Sequence, residues 1–145
     1  MNRLRDILLV EDNPNDVELT MEALGEHNLA NKVVVAHDGE EALDYLYRRS
    51  RFAKRDTRHP AFILLDIKLP KLSGLEVLQI IRADEKLKSI PVVMLTSSRQ
   101  ESDLIRSYQL GVNAYVVKPV AFADFISAVK EIGAFWAILN ELPPS

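Results

Sequence analysis

Five polar residues in this chain each follow a short apolar run. Glu11 and Asp12 follow Ile7–Val10, Asp66 follows Phe62–Leu65, Thr96 follows Val92–Leu95, and Lys118 follows Ala114–Val117. If those runs are neighbouring parallel strands, their carboxyl ends open on one crevice, which is where open α/β sheets bind ligands. Three carboxylates, a hydroxyl and an ammonium would then share a small pocket suited to a divalent cation and a phosphoryl group. Phosphoryl transfer depends on positioning and charge neutralisation more than on covalent help from many side chains. Asp66, at the end of the central strand, is the candidate nucleophile, because a carboxylate can carry a phosphoryl group covalently. Three clustered acids raise at least one pKa unless a cation intervenes. Mg²⁺ answers that need: it prefers carboxylate oxygens, keeps several waters and accepts a phosphate oxygen. Lys118 can pair with a carboxylate at rest and with a phosphoryl oxygen afterwards, while Thr96 offers its hydroxyl to another oxygen. Pro119 makes a cis peptide available to Lys118, since X–Pro bonds adopt cis at low cost.

The elements that must position these groups are legible as alternating apolar runs and helix-period segments. Ile7–Val10 is too apolar to be half exposed, so both its faces should be buried. A first helix is expected over about 14–25, opened by Pro14 in the turn where its missing N–H costs nothing. Val17, Met21 and Leu24 would form its inward stripe. Strand two is Val33–Ala36, and a second helix over about 39–49 turns Ala42, Leu43 and Leu46 inward. Strand three is Phe62–Leu65, ending at Asp66; a turn over 70–74 leads to a helix carrying Val77, Leu78 and Ile81. Strand four is Val92–Leu95, ending at Thr96, with a fourth helix over about 101–110 and Gly111 as a left-handed C-cap. Strand five is Ala114–Val117, and a fifth helix begins near Ala121 and runs to about Asn140, with Pro143 and Pro144 beyond it. No repeat or linker divides the chain. The expectation is one domain over 1–145, an α/β (βα)5 doubly wound fold with a five-stranded parallel sheet of order 2-1-3-4-5.

From Asp66, Gly74 lies at +8, Thr96 at +30, Tyr115 at +49 and Lys118 at +52. In residue types, order and spacing this pattern resembles the receiver domain of two-component response regulators, over nearly the whole chain. The resemblance implies a flavodoxin-like fold and a phosphoacceptor signalling protein rather than an enzyme, one that catalyses only its own phosphorylation and dephosphorylation. It makes Asp66 the phosphoacceptor. Asp12 and Asp66 become direct Mg²⁺ ligands with the main-chain carbonyl of Lys68, and Glu11 acts more through water. It implies that the bond before Pro119 is cis and aims Lys118 inward. Thr96 and Tyr115 become a switch: the hydroxyl moves toward the phosphate, the ring turns inward, and the surface of the fourth helix, fifth strand and fifth helix changes. Lys68 and Ser98 would border the path of attacking water.

The long basic insertion before strand three and the aromatic tail ending Leu142-Pro143-Pro144 narrow the resemblance. They look like the stand-alone response regulators of bacterial and cyanobacterial phytochrome histidine kinases, which implies a phosphohistidine on a light-regulated sensor kinase as donor. The alternative is an intermediate phosphate carrier in a multi-step phosphorelay, which differs in partners and phosphate lifetime.

Taken singly, each residue has an ordinary explanation. Glu11, Asp12 and Asn13 could be an acidic cluster at a helix N-terminus, Asp66 a solvated strand end, Thr96 with Ser97 and Ser98 capping material, Lys118 a surface residue and Tyr115 a rim residue. Their joint placement at strand ends is what favours the pocket. The basic segment 48–59 carries a local charge of +5, from Arg48, Arg49, Arg51, Lys54, Arg55 and Arg58 against Asp56. It reads first as a solvated loop and second as a docking site for an acidic surface. Helix five already has an inward stripe in Phe122, Phe125, Ile126, Val129 and Ile132. Phe135, Trp136, Ile138, Leu139 and Leu142 therefore add apolar area over about 135–145 that points to a homodimer contact. Folding back over its own core is the other option for that tail.

The 145 residues, 48% hydrophobic and 27% charged, are ordinary for a single domain. The absence of cysteine excludes disulfides and thiolate metal sites. With no signal peptide and no span-length apolar run, a cytoplasmic protein away from membranes is expected. The net charge is −3, and −8 outside the basic segment, which argues against a nucleic-acid surface. A transcription factor would also need a DNA-binding domain after helix five. Phosphatases of the haloacid dehalogenase type resemble a D-x-D signature, whereas the triplet here is Asp66-Ile67-Lys68. The glycines at 25, 39, 74, 111 and 133 make no phosphate-cradling loop for a nucleotide or flavin.

Overall fold

The computed structural model describes residues 5–25, 32–56, 58–97 and 109–131. The order is β1 (Ile7–Val10), α1 (Pro14–Gly25), β2 (Val33–Ala36), α2 (Gly39–Tyr47), a 3₁₀ turn (Ser50–Phe52), β3 (Phe62–Asp66), α3 (Gly74–Ala83), β4 (Val92–Thr96), β5 (Ala114–Val117) and a C-terminal helix (Phe122–Glu131). All four strand pairings are parallel, and the sheet order is β2-β1-β3-β4-β5. This is the doubly wound flavodoxin-like arrangement.

Burial of both sheet faces explains the unbroken apolar runs: every residue of β1, β3 and β4 is buried. On one face, Leu8, Val10, Ile63, Leu65, Val92 and Met94 pack with Leu43 and Leu46 of α2 and Val77, Leu78 and Ile81 of α3. On the other, Ile7, Leu9, Phe62, Leu64, Val93, Leu95, Ala114 and Val116 pack with Leu24 of α1 and Phe125 and Val129 of the C-terminal helix. Edge strand β2 is only half buried over Val33–Val35.

Three helices start on side-chain caps. Asn13 Oδ1 accepts from the N–H groups of Asn15 at 2.9 Å and Asp16 at 3.1 Å. Asp38 accepts from Glu41 N–H at 2.7 Å, and Ser73 accepts from Glu76 N–H at 3.2 Å. The stripe expected on α1 is corrected. Met21 is exposed, while Thr20 is buried beside Val17 and Leu24. Val17 and Leu24 keep the expected face and only the middle position changes, because a thioether tolerates the rim and the small Thr20 fits close to the sheet. Helix α2 is shorter than expected, ending at Tyr47 because Arg48 takes the left-handed conformation, φ 56°.

The basic segment is largely exposed, as a solvated loop should be, but it is anchored at Phe52 and Arg55. Phe52 is buried edge-on against Tyr45, with ring centroids 5.2 Å apart. The Arg55 guanidinium lies 4.0 Å from the Tyr45 ring centre, and its Nε donates to Tyr45 O at 2.7 Å. Arg51 lies over Phe52 at 4.1 Å and pairs with Glu41, and Arg49 pairs with Asp44 at 3.3 Å. Arg49, Arg51 and Arg55 thus each engage a residue of α2, while Arg49 and Arg51 stay more than half exposed. The fourth helix expected over 101–110 falls almost wholly outside the described residues, as do Ser98, Ile132 and the tail over 135–145.

Candidate functional site

The period-two alternation of the strands decides which side chains meet. Glu11 continues the Ile7, Leu9 face, Asp66 the Phe62, Leu64 face and Lys118 the Ala114, Val116 face, so all three emerge on the side covered by α1 and the C-terminal helix. Thr96 follows Val92 and Met94 on the opposite parity, and Tyr115 packs against that same first cluster. Tyr115 pairs in register with Met94, so it is diagonal to Thr96 across β4 and β5.

Glu11 is 0% exposed, Asp66 4% and Thr96 6%, whereas Asp12 lies at the surface. One carboxylate oxygen each from Glu11, Asp12 and Asp66 lies within 4.8 Å of the others. Lys118 Nζ donates to Glu11 Oε1 at 2.8 Å, Asp16 Oδ2 at 3.0 Å and Asp66 Oδ2 at 3.4 Å. The second oxygens of Asp66 and Glu11 are held by the backbone: Lys68 N–H donates to Asp66 Oδ1 at 3.3 Å and Asn13 N–H to Glu11 Oε2 at 3.2 Å. Lys118 is tied to its neighbouring strand by its own N–H, which donates to Thr96 O at 2.7 Å, and the Lys118–Pro119 peptide is cis.

The turn after Asp66 requires a residue without a side chain. Gly74 N–H donates to Ile67 O at 2.9 Å, and a Cβ at Gly74 would stand 2.1 Å from Asp66 O. Its +8 spacing thus has a steric cause.

Burial pushes the Glu11 carboxyl up to about 7, with Asp66 adding to the rise and the Lys118 hydrogen bond opposing it. Burial also works against the charge on Lys118. Hydrogen bonds to Glu11 and Asp16, with the fields of Asp66 and Glu11, outweigh it and raise the ammonium above its ordinary pKa. Four carboxylates around one ammonium leave the pocket short of positive charge. The donor atoms are hard oxygens, so the residues fit a small divalent cation.

The structure places Glu11, Asp12, Asp66 and Lys118 in the pocket, Thr96 and Tyr115 on the adjacent strands and Lys68 in the turn beside Asp66, while Ser98 lies outside the described residues. Sequence reasoning missed Asp16. The signal was an acid in the first turn of a helix that starts at the β1 carboxyl end.

A doubly wound parallel sheet with acids and a lysine at its carboxyl edge defines a class of α/β proteins, and the family model for the response regulator receiver domain matches residues 7–130. The chain belongs to that family. Among curated relatives, it is 42% identical over 137 residues to a probable methanogenesis regulatory protein, FilR2, of Methanothrix harundinacea, covering 94% of this chain and 86% of the relative. It is 39% identical to response regulator Rcp1 of Synechocystis, covering 94% and 92%. The structure of the bacteriophytochrome response regulator AtBRR is 60% identical with a TM-score of 0.88, covering 97% of this chain and 100% of the other. The Mn²⁺-bound form of Rcp1 has a TM-score of 0.75 at 37% identity, covering 97% and 99%. The phosphorylated cyanobacterial phytochrome response regulator RcpA has a TM-score of 0.77 at 40% identity, covering 99% and 100%. Stand-alone phytochrome response regulators are therefore close homologues. Among the described residues, no helix is long and apolar enough to cross a membrane.

Proposed function

We propose that the protein is a phosphoacceptor response regulator in which Asp66 takes a phosphoryl group from a phosphohistidine on a sensor histidine kinase of the phytochrome type. The observation that carries the reading is the convergence of the Glu11, Asp12 and Asp66 oxygens on one another with the Lys118 ammonium against them. A carboxylate oxygen of Asp66 attacks phosphorus, the phosphorus–nitrogen bond of the donor breaks, and the imidazole leaves. Asp12, Asp66 and the main-chain carbonyl of Lys68 would hold Mg²⁺, with Glu11 acting through water. The cation supplies neutralising charge for the phosphoryl oxygens.

Lys118 moves its hydrogen bonds toward a phosphoryl oxygen, and the Thr96 hydroxyl takes another. Tyr115, diagonal to Thr96 on β5, follows the hydroxyl inward and alters the surface beside it. The homologues named for phytochrome signalling support the donor class, and a metal-bound homologue supports a divalent cation. The apolar composition of 135–145 supports a homodimer contact, which Trp136→Ala tests by size-exclusion chromatography. A monomeric wild type at high concentration would overturn that contact.

The experiment is intact-mass spectrometry after acetyl phosphate treatment, with and without Mg²⁺. A single Mg²⁺-dependent phosphate adduct is expected in wild type and none in Asp66→Asn. Undiminished labelling in Asp66→Asn would overturn the site.

A further inference from the structure

We infer that Asp16 is a releasable counter-ion: it holds the Lys118 ammonium back from Asp66 at rest and lets it go when a phosphoryl group arrives. This rests on the reading of Asp66 as the acceptor. An ammonium has three N–H donors, and three carboxylates take them. The contacts to Glu11 and Asp16 are 2.8 and 3.0 Å, while the contact to Asp66 is 3.4 Å. The lysine is therefore held most closely by the two acids that are not the acceptor.

Asp16 is fixed where it stands. Its own N–H is capped by Asn13 Oδ1 at 3.1 Å, which sets the first turn of α1 beside the β1 carboxyl end. The three acids differ in what losing the lysine would cost them. Glu11 has a side chain 0% exposed and Asp66 6%, but Asp16 is 29% exposed. A buried charge stripped of its partner is expensive, whereas a partly solvated one is rehydrated. When phosphoryl oxygens on Asp66 need a donor, the bond to Asp16 is the one that breaks most cheaply. Asp16 makes no bond to phosphorus and moves no proton. It is a positioning residue, and its effect is to make loading of Asp66 less favourable than the pocket would otherwise allow.

The test uses beryllofluoride, a phosphoryl mimic, titrated calorimetrically into the full chain at saturating Mg²⁺. Asp16→Asn should bind it about two- to fivefold more tightly than wild type, the range expected for releasing one partly exposed ion pair. Asp16→Glu, which keeps the carboxylate, should stay near wild type, as should Glu18→Gln on the exposed side of α1. A second readout needs no loading: the ¹⁵Nζ resonance of Lys118 should shift in Asp16→Asn and not in Glu18→Gln. In a double-mutant cycle with Lys118→Gln, the gain from Asp16→Asn should vanish. Equal or weaker beryllofluoride binding by Asp16→Asn, or the same gain without Lys118, would overturn the inference while leaving the acceptor reading intact. No binding by wild type would overturn both.

Discussion

The wholly buried carboxylate of Glu11 accepts the closest of the Lys118 hydrogen bonds, at 2.8 Å, so the lysine is anchored first to the end of β1 and only then to the acceptor strand. This arrangement keeps an ammonium permanently inside a pocket whose acids would otherwise have to protonate. Burial nevertheless raises the Glu11 carboxyl, and the Lys118 hydrogen bond only partly offsets that rise.

Burial holds the folded Glu11 carboxyl up at about 7, against 4.5 for the unperturbed group. Between those values the folded chain holds a proton that the unfolded chain has lost. Stability from this group therefore falls as pH rises through that window, by at most about 1.4 kcal/mol per pH unit. Glu11→Gln has no such proton, so its urea-unfolding free energy should change less between about pH 5 and 7. Equal slopes in the two proteins would mean that Lys118 keeps Glu11 ionised throughout.

Gly74→Ala should be among the most damaging single-methyl changes in the chain. The new Cβ would meet the Asp66 carbonyl oxygen at 2.1 Å and the Ile67 Cα at 2.9 Å, both backbone atoms that cannot swing aside. Relief requires the turn after β3 to move, and Asp66 moves with it. Overpacking of this kind costs about 3 kcal/mol or more. Urea unfolding should register that loss, and acetyl phosphate labelling should fall in whatever protein remains folded.

Arg82 fastens α3 to the opposite end of the sheet from the pocket. Its Nε donates to Gly111 O at 2.8 Å, Nη1 to Lys88 O at 3.0 Å and Ile90 O at 2.8 Å, and Nη2 to Asn113 Oδ1 at 2.8 Å. Asn113 Oδ1 in turn accepts from Val92 N–H at 2.8 Å, so one guanidinium sets the approach to both β4 and β5. Arg82→Ala should cost about 2 kcal/mol, from orphaned carbonyls and lost stem packing. Arg82→Lys should recover little, because a point charge cannot replace a planar fork. Phosphoryl acceptance at saturating Mg²⁺ should be unchanged in the folded fraction.

What was legible in the sequence was whatever the sheet dictates. Apolar runs gave the strands, and the polar residues after β1, β3 and β5 gave the pocket, because parallel strands necessarily share a carboxyl edge. Asp16 was hidden because its helical turn, not a strand end, delivers it to Lys118. Met21 was misassigned to the inward stripe, where Thr20 stands instead, because i+3 and i+4 spacings are both compatible with one helix face. Arg82 reads as an ordinary polar residue late in a helix. Its four partners come from segments that only the fold brings together.

The basic segment is largely exposed, as a solvated loop should be, but charge count did not reveal its anchors at Phe52 and Arg55, because it says nothing about where stems and rings lie. Arg55 and Lys54 are adjacent, yet Arg55 stacks on Tyr45, donates through Nε to Tyr45 O at 2.7 Å, and through Nη1 to Asp56 O at 2.9 Å and Arg58 O at 2.8 Å, while Lys54 is exposed. Tyr45 is itself pinned by its hydroxyl to Asp6 Oδ2 at 3.0 Å, so the chain from β1 to the segment is continuous. Arg55→Ala should therefore release amides across 50–58 to faster hydrogen exchange and lower stability by about 1–2 kcal/mol. Lys54→Ala should do neither, although both changes remove one positive charge. Matching exchange profiles for the two variants would mean that the segment is held by Phe52 alone, and that the guanidinium merely rests on the ring.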